Sequence, residues 1–298
     1  MDGWTSQWIE VDAEGMPPRT TPTIRQERVG IELRKMRDAA GRTTAQAAAL
    51  LGLDRTKITQ IEKAHYPVTP ERVRILASDF EESDTAYVDA LADMAEERHK
   101  GWWEEYRGAV PTGFLDISEM EFFAKEMRTY QVSHVPGAMQ TEEYGRAIFS
   151  DVYPPLAPRL LEARVENRVQ RSAFLMAEGA RPYSAVVHEA ALRMLFGGRD
   201  SARRQLDRLL DYSELPHVSL RVVSFSSHGF KGSGQGIIHA SGSVPRLDTV
   251  QLDAVGGPVF LHEQRQLENY LHIIETMAER SLTEKQSRDL IRLIKKEI

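Results

Sequence analysis

Six basic or uncharged polar side chains crowd the short stretch from Arg55 to Lys63: Arg55, Thr56, Lys57, Thr59, Gln60 and Lys63. Their types suit the edges of base pairs. Arginine and lysine donate to guanine O6 and N7, glutamine pairs with adenine N6 and N7, and a threonine methyl meets a thymine methyl. Ile58 and Ile61 fall between them at i, i+3, so a helix here would bury the isoleucines and turn the polar set outward. A helix with that face enters a major groove when a short helix and a tight turn precede it. AQAAALL supplies the first helix, Gly52 the turn, and Asp54 an N-cap for the second helix. Thr43 and Thr44, at the start of the first helix, are placed to meet a phosphate through hydroxyl and backbone N–H.

A small helical bundle with a solvated face would also be polar there, and charge helps to separate the two readings. The chain of 298 residues carries 38 basic and 44 acidic side chains, a formal net charge of −6. The balance is uneven. Residues 1–18 hold four acids and no base, whereas residues 19–79 hold twelve bases against seven acids. A compact positive segment on an acidic chain points to a local polyanion-binding module.

Periodicity supplies the framework that holds these residues in place. Residues 1–23, ending in PPRTTPT, read as a flexible arm whose strong anchors are Trp4 and Trp8. Residues 24–83 read as the helix-turn-helix unit, opening with a helix that carries Val29, Leu33, Met36 and Ala40 as one stripe and stops at Gly41. Thr69, Pro70 and Glu71 open a fourth helix with Val73, Leu76, Ala77 and Phe80 inward. Residues 84–107 are expected to be a connecting helix, continuous from about Thr85 to Tyr106, with Tyr87, Leu91 and Met94 on one face.

The stretch GIELRKMRDAAGRTTAQAAALLGLDRTKITQIEKA resembles the XRE-type, phage-repressor-like helix-turn-helix domain, through Leu33, Gly41, Ala48, Leu51, Gly52, Ile58, Ile61 and Glu62. Thr44 stands where that family often has a glutamine, and Ala64 where a glycine usually ends the recognition helix. Downstream, KGWWEEYRGAVPTGF, EMRTYQVSHVPGAMQTEEYGRAIF, LEARVENRVQR, VVHEAALRMLFGG and HVSLRVVSF are similar to actinobacterial XRE-type regulators of the antitoxin-like family. Those regulators have a long C-terminal domain of unassigned function. The resemblance implies a transcriptional regulator encoded beside a small partner protein, and supplies no ligand and no catalytic activity.

Residues 108–298 change character. Short β-branched or alternating runs at 184–188, 218–225, 236–240, 249–252 and 259–262 lie among helical segments at 158–178, 200–213, 263–280 and 283–297. This mixture reads as an α+β domain with a mainly antiparallel sheet, serving regulation and dimerisation, so the fold class is α+β overall behind an all-α helix-turn-helix. Trp102, Trp103, Tyr106 and Phe114 begin an aromatic-rich stretch that extends to Phe122 and Phe123; it suits core packing, with a ligand or partner pocket as the functional alternative. KGSGQG at 231–236 lacks the Lys-Ser/Thr ending of a phosphate loop and reads as a hairpin connection between 218–225 and 236–240. Glu162, Arg164, Glu166, Arg168 and Arg171 read as a solvated helix face or the edge of a dimer contact.

Cysteine is absent, which excludes disulfide scaffolds, thiolate zinc sites and a cysteine nucleophile. The nine histidines show no zinc spacing, no GxSxG elbow is present, and no apolar run approaches a membrane span. No metal, no cofactor, no enzymatic activity and no membrane are therefore expected. The reading is a cytoplasmic, homodimeric, sequence-specific regulator on a pseudo-palindromic double-stranded operator, its C-terminal domain answering to a ligand or a small partner protein. The alternative is an antitoxin-like module that sequesters a small partner, with DNA binding secondary.

Overall fold

The computed structural model describes residues 21–96, 101–177, 179–227, 229, 234–254 and 256–298. The expected arm, with Trp4 and Trp8, lies outside the described residues up to residue 20. Five helices make the N-terminal unit: α1 (Ile24–Ala39), α2 (Thr44–Leu51), α3 (Arg55–Glu62), α4 (Pro70–Asp79) and α5 (Thr85–Glu96). Val29, Leu33, Met36, Val73, Leu76 and Tyr87 meet in one buried core with the two isoleucines of α3. Local chemistry sets the helix ends. Thr23 and Thr43 each form a capping box with the glutamine three residues on. The first four helices all close on a left-handed residue, in order Gly41, Gly52, Ala64 and Glu81.

The connecting helix is shorter than its periodicity suggests. α5 ends at Glu96, residues 97–100 lie outside the described residues, and Trp102–Tyr106 is a separate 3-10 turn. Gly101 between them is extended, and the indole of Trp103 folds back so closely that a Cβ on Gly101 would stand 2.2 Å from it. That packing is incompatible with one continuous helix.

The C-terminal unit runs α6 (Thr112–Phe123), β1 (Glu126–Gln131), α7 (Glu142–Ser150), α8 (Pro158–Met176), β2 (Tyr183–His188), α9 (Glu189–Arg193), α10 (Arg199–Tyr212), β3 (Val218–Val223), β4 (Ile237–Ser241), β5 (Thr249–Ala254), β6 (Gly257–Leu261), α11 (Gln264–Arg280) and α12 (Glu284–Glu297). Its six strands form one mixed sheet in the order β3-β2-β1-β4-β5-β6. The β1–β4, β4–β5 and β5–β6 pairings are antiparallel, and the β1–β2 and β2–β3 pairings parallel. The parallel half exists because α7–α8 and α9–α10 carry the chain back between successive strands. α6, α8, α10 and α12 contribute to the core on one face, and α11 covers the other through Leu267, Ile274 and Met277.

Two expectations need correction. Residues 218–225 and 236–240 do not form a hairpin, because β3 lies at the sheet edge with β2 and β1 between it and β4. Residues 228 and 230–233 of the connection between them lie outside the described residues. Arg171 does not belong to a solvated face. It is buried, as is Glu121 of α6, which accepts from its Nε at 2.7 Å and its Nη2 at 2.6 Å. Burying one charge beside its counter-ion removes the cost of leaving either alone.

The two units meet around Arg28. Its guanidinium, 2% exposed, donates to the Asp248 carbonyl at 3.0 Å, to the Arg246 carbonyl and to Nδ1 of His262 at 2.8 Å. Its Nε lies 2.9 Å from Glu32, which also accepts the Tyr87 hydroxyl at 2.7 Å. Arg246 stacks 3.7 Å over the Tyr87 ring and pairs with Glu82, and Leu247 packs into the helical core.

An arginine has only donors, so His262 must accept and must be neutral. Burial first, then the charges of Arg28 and Lys35, push its pKa down to about 3. In the unfolded chain it titrates near ~6.5. The unfolded chain therefore takes up a proton that the folded chain refuses, and stability is lost as pH falls below about 6.5. From pH 7 to pH 5 the expected loss from this group is up to about 2 kcal/mol. Urea titrations at both pH values should show a shallower dependence for His262→Gln; an identical dependence would remove His262 as its source.

Candidate nucleic-acid interface

Backbone accounting shapes the helix-turn-helix. At the end of α2 the N–H of Leu53 reaches the Ala48 carbonyl at 2.9 Å and that of Gly52 reaches Ala49 at 3.3 Å. This closure needs Gly52 at φ 62°, a left-handed conformation that costs a glycine nothing. The chain then turns into α3 over Asp54. Asp54 occupies the N-cap, but its carboxylate makes no capping hydrogen bond.

Within α3 the apolar and polar faces separate as the spacing requires. Ile58 and Ile61 are buried, while Arg55, Thr56, Gln60 and Lys63 are exposed and Lys57 and Thr59 half-buried. None of Arg55, Lys57 and Lys63 has an ion-pair partner among the described residues, so their charge faces outward uncompensated. Thr59 returns its hydroxyl to the Arg55 carbonyl at 3.4 Å, and Lys57 extends toward the Tyr66 ring. At the head of α2, Thr43 is exposed, but its N–H donates to Gln46 at 2.8 Å and its hydroxyl to the same oxygen at 2.9 Å. A phosphate there would be met by the first free N–H groups of α2, at Thr44 and Ala45, or would displace Gln46.

Two residues that hold this face are not evident from the local pattern. Arg37 of α1 grips Glu62 with a two-pronged ion pair, Nε to Oε1 at 2.5 Å and Nη2 to Oε2 at 3.0 Å, and donates to the Arg42 carbonyl at 2.9 Å. One guanidinium thus ties the end of α3 to α1 and to the turn before α2. Gly30 lets the helices touch: a Cβ there would stand 2.6 Å from the Glu62 carbonyl oxygen. A glycine inside a helical stripe is the available sequence signal for such an approach. The Arg37–Glu62 partnership spans 25 residues and has none.

Comparison with known families assigns both halves. Residues 28–84 match a helix-turn-helix domain, and residues 114–293 match a domain of unknown function, DUF5753. The second match covers more than half of the chain. The chain belongs to the DUF5753 family. No curated protein and no solved structure matches it.

In this DUF5753 chain the aromatic candidates lie around the start of the matched domain. Trp103 is buried with Val110 and Leu115, and Trp102, Tyr106, Phe114 and Phe123 pack around them. Trp102 meets Trp103 and Tyr106 edge to face, at 5.9 and 6.1 Å between centroids. The space beside Trp103 amounts to about 10 Å³, enough for at most a single water. The cluster is closely packed around that space, and Phe123 at its edge also contributes to the wall of a larger cavity between the two units. No helix among the described residues is long and apolar enough to cross a membrane.

The C-terminal end of α3 gives two stability tests. Arg37→Ala strands Glu62 in a site where the two side chains are 10% and 9% exposed. The expected loss is roughly 3–5 kcal/mol in urea unfolding, and a loss below about 1 kcal/mol would show that the pair does not anchor α3. Ala64→Gly acts the other way. It relieves roughly 1–2 kcal/mol of left-handed strain and returns roughly 0.4–1 kcal/mol to the unfolded chain, a net gain of up to about 1.6 kcal/mol in the same urea unfolding.

Proposed function

We propose that this chain is a sequence-specific, DNA-binding transcriptional regulator of the XRE type that acts in the cytoplasm, and that it is a binding protein without catalytic activity. The observation that carries the reading is the outward face of α3. Arg55, Thr56, Gln60 and Lys63 stay exposed while α1 and α5 take the contacts with the C-terminal unit. Docking the C-terminal unit thus leaves the reading surface open. Short helix, left-handed glycine turn and second helix form the arrangement that inserts a helix into the major groove.

On this reading Arg55 and Gln60 read base edges, while Lys57, Lys63 and the threonines at the head of α2 hold the phosphates. A homodimer would set two α3 helices one turn of DNA apart and favour a pseudo-palindromic operator. The DUF5753 domain would then supply dimerisation and the response to a ligand or to a small partner protein encoded nearby.

The test is fluorescence anisotropy on DNA from the region upstream of the protein's own gene, titrated with salt beside a scrambled duplex. Tight binding to the first, weak binding to the second and a steep loss with salt are expected. Arg55→Ala or Gln60→Ala should cost about 1–3 kcal/mol at the operator and relax the base preference; Lys63→Ala should weaken both duplexes alike and lower the salt slope by about one. Equal, weak binding to both duplexes would overturn the reading and favour a protein-sequestering role.

A further inference from the structure

A cavity of about 210 Å³ lies in the joint between the two units. Its walls come from both. Ile24 and Arg25 of α1 and Ala90, Asp93 and Met94 of α5 form one side; the end of α6, Lys125 and the end of β4 form the other. Ligand pockets favour such interfaces between domains. An apolar cavity of about 150 Å³ admits benzene, so this one has room for a ring or short alkyl body and one small polar group.

Its lining divides by chemistry. Ile24, Ala90, Met94, Met120, Ala240 and Leu247 offer apolar surface. Around them stand three cations, Arg25, Lys125 and the Arg28 of the joint itself, against one acid, Asp93, with the hydroxyls of Ser241, Ser243 and Thr249. Arg25 lies over the Phe123 ring, 3.9 Å from its centroid, and also feels Glu119. Lys125 is exposed and has no ion-pair partner among the described residues. An apolar floor under a net positive rim complements a carboxylate with an apolar body.

The cavity is wired to the joint. Gly242, in its wall, donates its N–H to the Asp248 carboxylate at 3.0 Å, and the Asp248 carbonyl accepts from Arg28 at 3.0 Å. A molecule that touches Ser241–Ser243 and α5 together therefore bears on the segment that holds the DNA-binding unit. It also binds only while both walls are in place, so it shifts the population toward the docked arrangement.

We propose that this cavity is an effector site for a small organic monocarboxylate with an aromatic or short aliphatic body, and that its occupancy sets DNA affinity. The proposal rests on the regulator reading and names the ligand class of its response. Isothermal titration of the full chain with benzoate, phenylacetate, hexanoate and octanoate, beside benzamide and hexanamide, tests the site without DNA. At least one acid should saturate below about 10 mM, with its amide about tenfold weaker.

Two variants locate the binding. Lys125→Glu should weaken the acid about tenfold and leave the amide unchanged. Gly242→Phe, which adds a ring to a lining position where a Cβ meets no atom within 4 Å, should abolish it. If that variant does not fold, Ala90→Phe fills the cavity from the opposite wall. Failure of all four acids to saturate, or binding that survives the filling variants, overturns the site.

Anisotropy with DNA then tests the coupling. The bound acid should change the Kd for DNA at least about threefold, and DNA should change the Kd for the acid by the same factor. Binding of the acid with no change in DNA affinity overturns the effector role. Loss of sequence preference in the protein without acid overturns the regulator reading instead, and the titrations without DNA keep the two failures apart.

Discussion

Arg28 places a full positive charge inside the joint between the two units, and the arrangement around it follows from the need to satisfy that charge. Its two terminal nitrogens donate to the Arg246 and Asp248 carbonyls and to His262, and its Nε stands in ion-pair contact with Glu32. A buried guanidinium without such partners would cost several kcal/mol, so α1 can dock only where the turn before β5 presents its carbonyls. The same demand keeps His262 neutral and draws Glu32 and Tyr87 into one network. Burial pulls the Arg28 pKa down, and the nearby acids, Glu32 first, oppose it.

From that anchor the DNA-facing side is set by distance and shape. α1 lies across α3 at Gly30, close enough that no side chain fits, and Arg37 reaches over the end of α3 to Glu62. α3 is only eight residues long, too short to be stable alone. Its posture is borrowed from α1 and from the two isoleucines beneath it. The C-terminal unit grips the other side of α1 through Arg28 and Lys35, so a change at the joint is one rigid helix away from the recognition helix.

The C-terminal unit solves a different problem. Its sheet changes from parallel to antiparallel at β1, which pairs with β2 on one side and β4 on the other. β1 is buried through Met127, Thr129 and Gln131 on one face and through Tyr130 on the other, yet its sequence, EMRTYQ, is polar. Met127 enters one core and Tyr130 the other, while Thr129 satisfies its hydroxyl on the Ile237 carbonyl. A polar strand can occupy the middle of a sheet because its partners are supplied from the neighbouring strand.

Whatever depends on near neighbours was determined by the sequence alone. The stripes Val29–Leu33–Met36 and Ile58–Ile61 and the caps at Thr43, Gly52 and Thr69 are local, and the structure places the helices where those signals put them. The outward set on α3 follows from the same periodicity, as do the helices α10, α11 and α12. Whatever depends on distant partners was left to the tertiary structure. Arg171 looks like surface until Glu121, fifty residues away, is seen beside it. EMRTYQ is a central strand only because β2 and β4 flank it, and 218–225 and 236–240 are kept apart by two strands from elsewhere in the chain. The joint at Arg28 is the extreme case, with partners more than two hundred residues away. Periodicity carries a helix face to solvent or to core; only the folded chain decides which buried charge meets which carbonyl.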